Sequence, residues 1–280
     1  MLIKIFTVLS LLSGIGAAIG SSLWPLAFIG GFVGCFLGLI VLGFLIVWIM
    51  SEVVDLSVPQ QRMDPFYRKV MYLLIDFVID FMRIHVKTEG LEKTPKEGRY
   101  LLVCNHLNDV DPPLLMKFFP QQEIAFISKR ENEKKFILGK FMHRLYCQSI
   151  NRENDREALK TILQCIKMIK EDEASIAVFP EGRITGDELM HPFRSGVFKI
   201  ALKTQVPIVV CTLYGTQNVL KNAMRLKPSE VDFHLVKVIY PEDYAGMTAT
   251  EIGNMAYQLM AQDLGPDKVW QKPENMDETE

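Results

Sequence analysis

The stretch Tyr100-Leu101-Leu102-Val103-Cys104-Asn105-His106-Leu107-Asn108-Asp109-Val110-Asp111-Pro112-Pro113 holds the change of structure that decides the fold. Its first five residues form a short apolar run, the pattern of a strand buried on both faces. Its last three open a helix: Asp is a favoured N-cap, and Pro fits the first turn, where its missing N–H has no partner to lose. The segment therefore reads strand, polar loop, helix, with His106 in the loop.

The same alternation continues downstream. Ile124–Ile127, Ser175–Phe179, Val206–Leu213 and Val231–Tyr240 are strand candidates. Asn154 followed by Glu157 has the form of a capping box, and the helix it opens puts Leu159, Ile162, Leu163, Ile166 and Ile169 on one face. Arg194–Thr204 and Thr248–Leu264 read as further helices. Strands alternating with helices predict an α/β fold, a mostly parallel sheet flanked by helices, here over residues 91–265. Ligands of such sheets bind beyond the C-terminal ends of the strands. Two polar clusters stand there, after the first and third strands.

Upstream, no charged residue occurs from Ile5 to Met50. Leu26–Met50 is long enough to cross a bilayer, which takes about 20 apolar residues. Ile5–Leu23 is shorter, and Ser21, Ser22, Trp24 and Pro25 suit a turn at an interface. Residues 1–55 are expected to form a transmembrane helical hairpin. Lys4 on one side, with Arg62, Arg68 and Lys69 on the other, predicts both ends on the cytoplasmic face of the cell membrane. A cleaved leader ending near Ala17 and Ala18 is the alternative. Residues 56–90 read as an amphipathic helical linker: Lys69, Asp76, Asp80, Arg83 and Lys87 form one stripe across Phe66–Lys87. Such a helix suits the membrane interface or packing on the globular domain. Residues 266–280 are expected to be a flexible acidic tail.

A net charge of −2 over 280 residues gives no global reason to bind nucleic acid. The five cysteines form no C-x-x-C pair and read as free thiols of a reducing compartment. The chain has no G-x-S-x-G elbow, no Walker or G-x-G-x-x-G motif and no metal-ligand spacing, which disfavours serine hydrolysis, nucleotide chemistry and metal catalysis. His85, His143, His191 and His234 have no carboxylate at catalytic spacing and read as structural or surface residues.

What is left is a constellation of oxygen and nitrogen groups. Acyl transfer to an alcohol needs a base at the hydroxyl, and a neutral imidazole serves near pH 7. A carboxylate on the other ring nitrogen fixes the tautomer. Across a loop-to-helix turn, Asp111 can fold back on His106, and Asp109 is a substitute. Phe179-Pro180-Glu181-Gly182-Arg183 exits the third strand, with Gly182 allowing close approach and Arg183 offering a planar fork for phosphate. Arg152, ahead of the capped helix, stands where an anion can share the free backbone N–H groups. Val206-Pro207-Ile208 reads as a core strand or the wall of an acyl groove.

The order N-H-x-x-x-x-D, Arg-ending block, F-P-E-G, V-P-I, over Lys87–Leu213, resembles the glycerophospholipid acyltransferase family. Within it, the chain is similar to the bacterial type that acts on 1-acyl-sn-glycerol 3-phosphate. The resemblance implies His106 as general base and Asp111 as its orienter. It implies Arg152, Glu181, Gly182 and Arg183 as binders of the glycerol phosphate, with no cofactor and no metal. Acyl-CoA or acyl-ACP would be the donor, lysophosphatidic acid the acceptor and phosphatidic acid the product, with membrane lipids as partners. Another lysolipid or glycerol phosphate as acceptor, a thioesterase, and a catalytically silent lipid-binding protein on the same scaffold are the alternatives. An acidic acyl carrier protein could dock on Lys129, Arg130, Lys134, Lys135, Lys140 and Arg144, which equally suit a solvated face. The family usually has Thr-Arg where this chain has Arg183-Ile184, and often Ser where it has Asn108.

Overall fold

The computed structural model describes residues 1–271. The chain divides into two compact units, Met1–Phe81 with Glu131–Leu145, and Met82–Arg130 with the residues from Tyr146 onward.

The first unit holds helices α1 (Leu2–Ala18), α2 (Trp24–Glu52), α3 (Pro65–Phe81) and α5 (Leu138–Arg144). The α1–α2 pair is the expected hairpin. Trp24 and Pro25 do not lie in its turn but begin α2, where a proline lacks no needed N–H. Among the described residues, α2 is the one helix long and apolar enough to cross a membrane; α1 is apolar but shorter. Small residues set the helix spacing. A Cβ at Gly31 would sit 2.9 Å from both the Ala17 Cβ and the Ser13 carbonyl, and the Ser13 hydroxyl donates to the Gly31 carbonyl. Close approach through small residues is how helices pair where lipid removes the hydrophobic drive.

Helix α3 stops at Phe81, six residues short of the helical stripe that ends at Lys87. Arg83 takes φ 55°, which no helix accommodates, and Ile84–Glu89 pairs as a strand instead. Ile84, Val86 and Thr88 carry the period of two that favours a strand, and the regular spacing of charges masks it. The 56–90 segment is thus a helix and a strand rather than one helical linker. α5, from far along the chain, packs Phe141 against Tyr67 and Val54, while the Tyr67 hydroxyl donates to the Met50 carbonyl.

The second unit is a seven-stranded sheet of β1 (Ile84–Glu89), β2 (Leu101–Cys104), β3 (Ile124–Lys129), β4 (Gln148–Ile150), β5 (Ser175–Val178), β6 (Ile208–Tyr214) and β7 (Ser229–Ile239). The order is β1-β7-β6-β2-β5-β3-β4. Among the described residues, only the β6–β7 pair is antiparallel. The flanking helices are α4 (Asp111–Phe118), α6 (Asp155–Lys170), α7 (Lys199–Thr204), α8 (Val219–Met224) and α9 (Ala249–Leu264). β2 and β5 are buried throughout and lie side by side, Leu101 opposite Ile176 and Val103 opposite Val178. Their C-terminal ends therefore deliver the His106 loop and the Glu181 loop to one place.

Three local readings change. The buried face of α6 is Ile162, Cys165, Met168 and Ile169, whereas Leu159 and Leu163 are exposed. Asn154 caps α6 by accepting from the Arg156 and Glu157 amides, but Glu157 does not complete a box; its carboxylate accepts from Arg130 and Asn151. The tail is not loose from Pro266: Met190 donates to the Lys268 carbonyl, and Trp270 donates back to Met190. The tail from 272 on lies outside the described residues. All five cysteines are free thiols, and burial pushes Cys165 up to about 12.

Gly31→Val is expected to force α1 from α2 and lower the thermal midpoint of the protein in lipid nanodiscs. Gly34→Val, whose added carbon meets nothing within 4 Å, should leave the midpoint unchanged.

Candidate active site

The site begins with a side chain that imitates a strand. Asn105, fully buried, donates from Nδ2 to the Leu213 carbonyl and accepts from the Leu213 amide, each at 2.8 Å. This pair extends the β2–β6 ladder by one rung after β2 has ended, and it fixes where His106 leaves the sheet.

His106 is then held from three directions. Its Nδ1 lies 2.9 Å from Asp111 Oδ2. Its backbone N–H donates to Glu181 Oε1 at 2.7 Å. Its ring stacks on Phe179, with centroids 4.1 Å apart and planes at 20°; Phe179 in turn stacks on Phe126. Asp111 is fully buried. Its Oδ2 also accepts from the amides of Leu107 and Asn108, at 2.7 and 2.8 Å. With Asp111 Oδ2 as the acceptor, the imidazole carries its proton on Nδ1 and leaves Nε2 as its acceptor nitrogen. Asp111 does not cap its own helix, as the sequence suggested; it is the first helical residue and reaches back to the loop before it. Asp109 is exposed and takes no part in the pair.

Glu181, expected among the phosphate binders, accepts from backbone amides with both oxygens. It is 4% exposed, and its second oxygen accepts from the His191 amide at 2.8 Å. Its two oxygens clamp the loop after β2 to the loop that follows β5. Burial pushes the carboxyl up to about 7, against the pull of those two backbone donors.

Gly182 adopts φ 80°. A Cβ there would meet Arg194 Cδ and Nε at 3.3 Å and Arg152 Cζ at 3.7 Å. Two guanidinium groups thus close over a residue that has no side chain to hold them off. All three residues line a cavity of about 510 Å³ with Phe179, whose ring lies against His106. Ile127, Ile150, Leu159, Ile162 and Val197 form its apolar wall. Arg183 is exposed and does not line the cavity, so of the two loop arginines it is Arg194 that joins Arg152. Arg194 was passed over in the sequence as a helix start. What brings it in is a long-range bond, its amide donating to the Pro180 carbonyl.

The other histidines do meet acceptors. His191 contacts Asp187 at 2.7 Å, His85 contacts Glu230 at 3.1 Å and His234 contacts Asp263 at 3.1 Å, while His143 contacts the Val58 carbonyl. The basic cluster divides between the two units, and Arg130, Lys140 and Arg144 pair with Glu157, Glu52 and Asp64.

Residues 85–214 match a family model described as Acyltransferase. A probable 1-acyl-sn-glycerol-3-phosphate acyltransferase of Mycoplasma pneumoniae is 29% identical over 180 residues, covering 63% of this chain and 66% of that one. The 1-acyl-sn-glycerol-3-phosphate acyltransferase of Limnanthes alba is 25% identical over 194 residues, covering 69% and 68%. The matched segments thus span about two thirds of these relatives' own length. Among solved structures, that of the 1-acyl-sn-glycerophosphate (LPA) acyltransferase PlsC from Thermotoga maritima has the same fold. Its TM-score is 0.56 at 21% identity, with 96% of this chain and 99% of that one covered.

Glu181's folded value lies above its ordinary 4.5, so the stability it contributes is whole below 4.5 and is lost as pH rises through about 7. Glu181→Gln, which cannot ionise, should flatten that decline in thermal melts across the same window; an unchanged pH slope would contradict the assignment.

Proposed function

We propose that this chain is an acyltransferase that moves a fatty acyl group from a thioester to the free hydroxyl of 1-acylglycerol 3-phosphate, giving phosphatidic acid, as the matched Acyltransferase model over residues 85–214 and the similar 1-acyl-sn-glycerol-3-phosphate acyltransferases support. The observation that carries this reading is the Asp111–His106 pair beside a cavity that is basic at one end and apolar along its wall.

His106 Nε2 takes the proton from the acceptor hydroxyl as the oxygen attacks the thioester carbonyl. Asp111 stabilises the imidazolium that forms. When the tetrahedral intermediate collapses, the C–S bond breaks and the imidazolium returns its proton to the departing thiolate. The alcohol attacks directly, so no acyl-enzyme forms, and the chemistry asks for no cofactor. Phe179 holds the ring by its face and leaves the basic edge available. Arg152 and Arg194 grip the acceptor's phosphate with planar forks that approach closely because Gly182 presents only backbone. Glu181 acts through the two loops it joins. The apolar wall receives an acyl chain.

The donor is an acyl thioester of acyl carrier protein or coenzyme A. Both are cytoplasmic, which agrees with the cytoplasmic face predicted from Lys4, Arg62, Arg68 and Lys69. Anchoring by α1 and α2 keeps the enzyme at the surface where lysophosphatidic acid resides.

Thiol release from acyl donors, measured with and without lysophosphatidic acid, tests the reading. His106→Ala should abolish acceptor-dependent release while leaving the fold intact. Release without acceptor would instead mark a thioesterase, and no release by the wild-type chain a silent lipid binder. Arg194→Ala should raise the KM for lysophosphatidic acid by about ten-fold or more, the worth of a charge-assisted phosphate contact. Arg183→Ala should stay near wild type, and a larger effect from Arg183 than from Arg194 would overturn the phosphate assignment.

A further inference from the structure

Within the first unit, the segment Lys134-Lys135-Phe136-Ile137-Leu138 exposes what a loop normally hides. Phe136 is 61% exposed and Leu138 42%, and both lysines beside Phe136 are exposed. The loop is pinned to the end of α2. Lys140 donates to Glu52 Oε1 at 2.8 Å, and the same Nζ lies 6.0 Å from the Phe136 ring centroid. Glu52 is the first charged residue after the apolar run of α2. Next to it, the chain that leaves α2 exposes Leu56 and Val58 as well, and His143 holds that stretch through the Val58 carbonyl. The exposed apolar side chains therefore gather where a spanning α2 leaves the hydrocarbon.

We infer that this loop is a second membrane contact, with Phe136 and Leu138 entering the boundary between acyl chains and headgroups of an anionic bilayer, and Lys134 and Lys135 pairing with its lipid phosphates. The inference rests on the reading of α2 as a membrane span. Three features select a lipid surface over a protein partner. The exposed apolar groups are few, Phe136 and Leu138 on the loop with Leu56 and Val58 on the chain that leaves α2. The cations flank them in the order that suits a headgroup layer above an acyl layer. The patch is continuous with the end of the apolar helix. Each cation near an anionic surface adds about 1 kcal/mol, so binding of the loop should follow the charge of the bilayer.

The test uses the full chain in nanodiscs, comparing the parent with Phe136→Trp. Brominated phospholipids, with bromine just below the headgroups or at the bilayer centre, report depth; iodide reports water. Both chains carry Trp24→Phe and Trp270→Phe, so that Trp48, within α2, serves in each as the control for the span. The fluorescence added by Phe136→Trp should be blue-shifted, lost to shallow bromines and spared by iodide. That loss should be greater in phosphatidylglycerol than in phosphatidylcholine, and Lys134→Glu with Lys135→Glu should remove the difference. If Trp48 is quenched by bromolipid but the added tryptophan answers only to iodide, the loop lies in water and the inference falls while the span stands. If neither is quenched by bromolipid, the span fails and takes the inference with it. If iodide quenching disappears only on adding acyl carrier protein or at high protein concentration, the face binds that protein or a second copy, and the lipid assignment is wrong.

Discussion

Asp111 lies where solvent does not reach, and its hydrogen bonds all fall on one oxygen. Three N–H groups converge on Oδ2: the amides of Leu107 and Asn108 and the ring of His106. The two amides belong to the same loop as the histidine, so the carboxylate shapes the loop and orients the ring at once. Removing it would leave two buried amides without an acceptor as well as an imidazole without a tautomer. That coupling explains why a separation of five residues suffices for a pair that needs definite geometry. The helix places Asp111 at its first turn, Pro112 and Pro113 forgo amides that have no use there, and the loop winds around the oxygen.

Glu181 extends the same logic across strands. It joins the loop after β2 to the loop after β5 through backbone amides alone, so its effect does not depend on which side chains those loops carry. With Asn105 bridging to β6, three neighbouring strands are locked at their C-terminal ends. The base stands on a rigid frame, which is what proximity catalysis requires.

Much of this was legible because it is local. The strand, loop and helix around His106 follow from an apolar run, a polar break and Asp-Pro-Pro; the α/β order follows from alternation; the hairpin follows from 46 residues without charge. The parts that escaped depend on distant partners. Arg194 reaches the site only because its amide bonds to Pro180, and no spacing rule encodes that. Glu181 stood among the phosphate binders on the family resemblance alone, and its bonds to the His106 and His191 amides join segments that no local pattern connects. β1 was hidden inside a charge stripe of helical period, and its partner β7 lies some 140 residues away in the register Ile84 to Ser229. Leu159 and Leu163 were placed in the core by helical phase, yet the sheet takes a neighbouring stripe of α6.

The excursion of Glu131–Leu145 from one unit into the other bears on how the molecule is made. The hairpin emerges from the ribosome first and can enter a bilayer early, but the residues that cover Tyr67 and Val54 arrive only after β3 has been synthesised. Until Phe141 docks, the base of the anchor lacks its cover and the strand that β4 will join stays at an edge. Deleting the hairpin to obtain a soluble enzyme would thus take Val47 and Met50 from the cluster around Phe141 and leave α3 as its remaining cover, so a shortened form needs that face redesigned as well.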